Sequence, residues 1–261
     1  MSWDARDYAR NSEAQAQWAR ELLGKLELAG DERVLDIGSG DGKVTAEIAR
    51  RLPRGSVLGI DSSPEMVAAA ASSFPPERFP NLSFREMDAA RIRLPAELDV
   101  TFSNATLHWV RDHEEVLRGV RSCLKRGGRL LFQMGGRGNA SDMFAVVVGV
   151  AASPRWADRF TGFVPPYNFV GTDEYRRWLP THGFRIVRVE LIPRDMQHPD
   201  RGGLEGWLRT TWFPWGARLG DEERPRFWAE ILDRYLEAFP PDAGGRTHVA
   251  MVRLEVEAVA A

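Results

Sequence analysis

Asp36-Ile37-Gly38-Ser39-Gly40-Asp41-Gly42-Lys43 joins a strand-like run, Arg33-Val34-Leu35-Asp36-Ile37-Gly38, to a segment in which Val44, Ile48 and Leu52 share one helical face. The spacing predicts strand, glycine turn, helix. Glycines at alternate positions let the backbone turn sharply and approach a ligand closely, and the following helix offers free N–H groups at its start. This is not the dinucleotide fingerprint, because Lys43 stands where G-x-G-x-x-G needs its third glycine. Nor is it a Walker loop, which has a longer spacer and ends in Gly-Lys-Ser/Thr. A tight turn with no ligand is the plain alternative.

The pattern repeats outward from this turn. Ser56-Val57-Leu58-Gly59-Ile60-Asp61 reads as a second strand, and Ser63 then caps a helix whose first position suits Pro64. Further strands are predicted at Leu82 to Met87, Leu98 to Ser103 and Arg129 to Met134. A helix carrying Val116, Leu117, Val120 and Leu124 separates the last two. Upstream, Ser12 to Leu28 is amphipathic, with Trp18, Leu22 and Leu26 at i, i+4 spacing and a capping box from Ser12 and Gln15. Alternating strands and helices predict an α/β fold with a doubly wound, mostly parallel sheet. Phe184 to Ile192 and Thr247 to Val259 complete it as a final pair, one of them antiparallel. In the second, Ala250, Val252, Leu254 and Val256 share one face while Arg253, Glu255 and Glu257 share the other, which suits a strand with unequal faces. The expected organisation is an N-terminal helix and lid over residues 1–30, a nucleotide-type core over 31–139, a cap over 140–170 and 193–245, and the last core elements over 171–192 and 246–261.

Asp61 ends the second strand, so its carboxylate belongs beside the glycine turn at the carboxyl edge, where open α/β sheets bind ligands. There it can accept hydrogen bonds from both hydroxyls of a ribose. Asp88 and Ala89 follow the third strand, where Asp88 could accept from an adenine amino group while the Ala89 N–H donates to the ring. Asn104 follows the fourth strand. Each alone reads as an ordinary turn or cap. Four consecutive strand ends with one chemistry predict a nucleoside site.

Composition narrows the classes. The 261 residues are 43% apolar and 28% charged with a net charge of −2, and no basic stripe stands out to serve nucleic acid. The single Cys123 forms no internal disulfide and reads as a small buried hydrophobe. No apolar run reaches membrane-spanning length and the first residues do not form a signal peptide, so a cytoplasmic protein with no membrane partner is expected. The five histidines lack the spacing of a metal set. Six of nine tryptophans follow residue 140, which suits either dense packing or an aromatic-lined cap over a ligand.

Taken together, these motifs resemble the class I S-adenosylmethionine-dependent methyltransferases, over roughly residues 30–136, and within them the trans-aconitate methyltransferases. The closer likeness runs through Val57-Leu58-Gly59-Ile60-Asp61-Ser62-Ser63-Pro64, Phe102-Ser103-Asn104-Ala105-Thr106-Leu107-His108-Trp109, Asp112-His113 and Gln133-Met134. It implies a seven-stranded Rossmann-like methyltransferase sheet with an inserted helical cap, and S-adenosylmethionine as cofactor. It places Asp36 near the methionine amino group, Gly38, Ser39 and Gly40 beneath the cofactor, Asp61 with Ser62 at the ribose, Asp88 with Ala89 at the adenine, and Asn104 at the fourth strand end. By the same likeness Tyr8 belongs to a lid, and Trp109 and Gln133 join the substrate-side candidates, a core position being the plainer reading for Trp109. The aconitate-type sequences usually have Gln where His108 stands and Cys in place of Ser39.

The acceptor follows from chemistry. An ionised carboxylate needs no general base but does need a cationic or N–H-rich clamp, for which Arg194 and Arg209 in the cap are the candidates, each taken singly reading more plainly as a solvated surface arginine. A hydroxyl acceptor would instead call on His108 as base, although a histidine paired with backbone is the plainer reading. The expectation is O-methylation of a small carboxylic acid by a monomer or homodimer, with a hydroxyl or carbon acceptor as the near alternative. A nicotinamide-dependent oxidoreductase and a non-catalytic nucleoside-binding protein are the alternatives of another class.

Overall fold

The computed structural model describes residues 13–261, with side chains from Trp18 onward. Tyr8, Ser12 and the expected capping box lie outside the described residues. Seven strands form one sheet: β1 (Arg33–Ile37), β2 (Ser56–Asp61), β3 (Leu82–Glu86), β4 (Leu98–Asn104), β5 (Leu124–Gly135), β6 (Phe184–His198) and β7 (Thr247–Ala260). Their order is β3-β2-β1-β4-β5-β7-β6, reversing at β1/β4. The first five are mutually parallel, and β7 runs antiparallel to both neighbours.

The sequence builds this directly. In β1, Leu35 and Ile37 enter one apolar cluster and Val34 enters another, so the strand is buried on both faces, as a central parallel strand must be. Helices α1 (Glu13–Gly24) and α2 (Lys43–Arg50) cover the Val34 side. Beyond β2, α3 (Pro64–Ser73) begins as expected, with the Ser63 hydroxyl accepting from the Met66 N–H at 3.2 Å and Pro64 in the first turn. The Leu35 side is covered by α4 (His113–Cys123) and α6 (Thr172–Thr181). Cys123 is buried there, and burial pushes its thiol up to about 11.

A third apolar cluster belongs to the cap: α5 (Ser141–Ala151), α7 (Arg201–Thr211), the short α8 (Phe213–Gly216) and α9 (Glu223–Ala238), with Met196, Val249 and Met251 from the ends of β6 and β7. Two sequence expectations change here. Helix α1 stops at Gly24, four residues before Leu28. Strand β6 continues through His198, so residues 193–198, expected in the cap, belong to the sheet. Pro193 is tolerated because β6 is the sheet edge, where a missing N–H breaks no inner ladder.

The unequal faces expected of β7 are also corrected. Arg253 and Glu255 are buried, at 4% and 1% exposure, like their apolar neighbours. Glu255 accepts from Lys25 Nζ at 2.6 Å, Arg188 Nη1 at 2.5 Å and Gln133 Nε2 at 2.8 Å, so a charge that burial would penalise is fully paired. The Arg253 guanidinium lies 3.9 Å from the centroid of the Trp18 ring. Helix α1 thus covers the face that alternation assigned to water.

Candidate functional site

The turn after β1 is built for close approach. The Gly38 and Ser39 N–H groups donate to the Ile60 carbonyl at 2.7 and 2.9 Å, tying the turn to the end of β2. Gly38 has φ +77, and a Cβ on it would lie 2.0 Å from Thr106 Oγ1, so only glycine fits. That Thr106 hydroxyl lies 3.2 Å from the Gly38 carbonyl and 3.1 Å from that of Asn104, which joins the first and fourth strand ends. Gly40 differs. A Cβ there would meet no atom within 4 Å, because the space above it belongs to an open cleft.

That cleft has a volume of about 820 Å³ and runs along the carboxyl ends of β1 to β4. Gly38, Gly40, Asp61 and Ser62 line one part of it, and Asp88, Ala89 and Asn104 another. Asp61 Oδ2 accepts from the Gly40 N–H and Oδ1 from the Ser63 N–H, each at 2.9 Å. Burial raises its pKa, against the lowering effect of these N–H groups. A carboxylate offers about four lone-pair sites, so two remain for a ligand. Asp88 is half-exposed and caps a 3-10 turn over Ala89–Arg91, its Oδ1 accepting from the Ala90 N–H at 2.9 Å.

Asp36 and Ser39 do not line the cleft; both are buried behind the glycine turn. Asp36 Oδ2 accepts from Thr45 Oγ1 at 2.6 Å, and burial pushes its carboxyl up to about 7 despite that bond, with the charge of Asp61 adding to the rise.

Ala105, with the left-handed φ of 55, carries the chain out of β4, its N–H held by the Gln133 carbonyl at 2.8 Å. Ala105 and Trp109 line both the cleft and a second chamber of about 60 Å³ beneath the cap. His108, Arg253, Trp207 and Trp212 line this inner chamber, and none of its lining residues is acidic. His108 is buried, and its Nδ1 faces the Gly135 N–H at 3.4 Å. A neutral ring accepting there carries its proton on Nε2. Burial, with the positive charge of Arg253 adding to it, lowers the His108 pKa to about 3. The indole Nε1–H groups of Trp207 and Trp212 are buried with no acceptor among the described residues.

The other substrate-side candidates lie elsewhere. Arg194 Nη2 donates to Glu21 Oε2 at 3.0 Å, and its side chain is partly exposed outside both cavities. Arg209, on α7, is exposed and lines neither. The Gln133 side chain is committed to Glu255, and only its carbonyl serves the site, through Ala105. Trp109 is a wall rather than the core residue its sequence position suggested, with Tyr167 and Phe213 at ring-centroid distances of 4.9 and 5.8 Å. Arg253 was hidden by the alternation of β7. Trp207 and Trp212 carried a signal, the tryptophan-rich cap, that named no individual residue. Among the described residues no cluster could hold a metal, and no helix is long and apolar enough to cross a membrane.

Comparison with known proteins agrees with this geometry. Residues 34–128 match the methyltransferase domain model. The trans-aconitate 2-methyltransferase of Methylobacterium nodulans is 30% identical, over 97% of this chain and 96% of its own. The chain belongs to the trans-aconitate methyltransferase family. The enzyme of the same name from Agrobacterium fabrum is also 30% identical, with 99% of each chain covered. Among solved structures, the geranyl diphosphate C-methyltransferase of Streptomyces coelicolor, crystallised with S-adenosyl-L-homocysteine, shares the fold at a TM-score of 0.58 and 15% identity, covering 95% of this chain and 79% of its own. The chain is therefore an S-adenosylmethionine-dependent methyltransferase of the class I fold. The cleft suits that cofactor: open space over Gly40, free lone pairs on Asp61, and polar groups at the β3 and β4 ends.

Proposed function

We propose that this methyltransferase transfers a methyl group to a carboxylate oxygen of a small organic acid. The observation that carries this reading is the inner chamber, which Arg253 and His108 line and to which no lining residue brings a negative charge. A cationic side chain with no acidic neighbour in the lining favours an acceptor-rich, anionic group. The names of the relatives point the same way.

In this reading Asp61 takes the ribose hydroxyls, with Ser62 beside it. Asp88 and the Ala89 N–H take the adenine edge. Asp36 stays buried behind the turn, where its carboxylate acts on the methionine part from outside the cleft, and Asn104 borders the reacting end. When bound, S-adenosylmethionine supplies a methyl on a sulfonium that keeps the C–S electron pair, so a carboxylate oxygen becomes a neutral ester with no proton to remove. Proximity then supplies most of the acceleration, with the nucleophile held in line at ~3–3.5 Å. The Trp109 wall and the cap exclude water from that line.

A hydroxyl acceptor would need a base, and His108 is unsuited to it: Nδ1 faces a backbone N–H and the ring resists protonation at neutral pH. Its role here is donation from Nε2 toward the anion. Turnover with methyl-labelled cofactor and a panel of mono-, di- and tricarboxylic acids tests this. A carboxylate ester releases its label as methanol in mild alkali; label that survives alkali would place the methyl on carbon, nitrogen or an ether oxygen instead.

A further inference from the structure

We propose that Asn168 is a positioning residue, a clasp that makes the cap follow the loop after β4. Through it, cofactor seated in the cleft sets the walls of the inner chamber. The proposal rests on the cofactor's place in the cleft and not on the chemistry of the acceptor. Asn168 lines neither cavity, yet its neighbours Tyr167 and Phe169 line the chamber and Pro166 lines the cleft.

Three donors of this one residue meet three carbonyls of the loop after β4. The Asn168 N–H donates to the His108 carbonyl at 2.8 Å, and Nδ2 donates to those of Val110 at 3.3 Å and Arg111 at 2.9 Å. Two carbonyl acceptors fix the nitrogen edge of the amide toward the loop, because its oxygen has nothing to donate. Val110 and Arg111 line the cleft, His108 lines the chamber and Trp109 lines both.

Tyr167 and Phe169, on either side of the clasp, stand as parallel rings 5.7 Å apart. Tyr167 packs on Trp109 at 4.9 Å and Phe169 on His108 at 5.9 Å. The Tyr167 hydroxyl donates to the Thr211 carbonyl at 3.3 Å, at the end of α7 in the cap. Before the clasp, Pro165 and Pro166 stiffen the segment by fixing φ twice. After it, the Arg137 N–H donates to the Val170 carbonyl at 2.9 Å and ties the segment to the end of β5. A shift of the loop after β4 therefore reaches α7 through Asn168 and Tyr167. Chamber and cleft meet at Trp109, so a misset clasp displaces the acceptor from the methyl, and about 1 Å of misplacement can cost ~100-fold in rate.

Hydrogen exchange of the intact protein, with and without S-adenosylhomocysteine, tests this. The ligand is expected to slow exchange about tenfold both in residues 105–112 and in residues 161–171. Protection of 105–112 with none in 161–171 overturns the clasp and leaves the cofactor's seat intact, whereas protection of neither overturns both. This arm needs no variant to fold. In Asn168→Ala the protection of 105–112 should persist while that of 161–171 is largely lost, because the two amide hydrogen bonds that carry it are worth about that factor. Asn168→Asp turns a carboxylate toward the two carbonyls. It should match Asn168→Ala at about pH 8 and regain the transmitted protection as the pH falls toward about 5, where a protonated carboxyl donates again. A merely structural clip would lower Tm in both variants and leave the transmitted protection unchanged, which overturns the proposal. With the acid methylated fastest in the panel above, Asn168→Ala should lower kcat about tenfold or more with the cofactor KM within about threefold of the parent value. An unchanged kcat would also overturn it.

Discussion

Replacing Asp61 by alanine separates the two tasks of one carboxylate. In the free protein Asp61 holds the Gly40 and Ser63 N–H groups, each at 2.9 Å. Hydrogen bonds to a charged group are worth about 1.5–3 kcal/mol apiece, but these two border an open cleft where water can replace the carboxylate. The burial that raises the Asp61 pKa offsets part of their value as well. A net stability loss of about 1–2 kcal/mol follows, which for a chain of this size lowers Tm by roughly 2–8 °C. The cofactor loses more. Two lone-pair sites for the ribose hydroxyls disappear, costing about 2 kcal/mol, or roughly 30-fold in Kd. Calorimetric titration with S-adenosylhomocysteine, paired with a thermal melt, reads both. Asp61→Asn keeps the shape and one acceptor oxygen, so it should fall between. If Asp61→Ala lowers Tm while Kd stays within about threefold, the carboxylate serves the turn alone and the ribose assignment fails.

Three further outcomes are expected. Gly38→Ala should yield little folded protein because its Cβ collides with Thr106, whereas Gly40→Ala should fold with only about 1–2 kcal/mol of left-handed strain and lose cofactor affinity instead; equal folding defects by circular dichroism would contradict the distinction. The Asp36 pKa of about 7 lies above its unfolded value of 3.8, so the associated stability is full below the lower value and is lost as pH rises through the upper one. A cofactor ammonium across the glycine turn from Asp36 lowers its pKa in the complex, so S-adenosylhomocysteine affinity should climb with pH up to about 7 and then level, and Asp36→Asn should flatten the profile. Glu255→Ala strands Lys25, Arg188 and Gln133; because Lys25 and Arg188 are partly exposed, the cost should be about 2–3 kcal/mol, seen as a lower Tm with unchanged cofactor Kd.

The strand tips were legible because each carries a residue type that its position demands. Gly38 is fixed by Thr106, and Asp61 and Asn104 stand at the ends of strands whose apolar runs announce them. Ser63 and Pro64 mark their helix start through local chemistry alone. What stayed hidden depends on contacts between distant segments. Arg253 and Glu255 alternate like surface residues, and only α1 with the residue after it and β6, which supply Trp18, Lys25 and Arg188, make their face an interior. Arg194 and Arg209 matched the required charge, but a residue type does not reveal which way a helix or an edge strand turns it. The strand expected to end at Ile192 runs on through Pro193, which β6 accommodates only because it is the sheet edge.

A crystal structure of the protein with S-adenosylhomocysteine bound tests the arrangement most directly. The ribose hydroxyls are predicted on Asp61, the adenine edge on Asp88 and Ala89, and the sulfur at the Ala105–Trp109 boundary, facing the chamber of Arg253, Trp207 and Trp212. A nucleoside seated away from the β1–β4 tips, or a sulfur turned toward solvent with the chamber walled off behind it, would contradict the account.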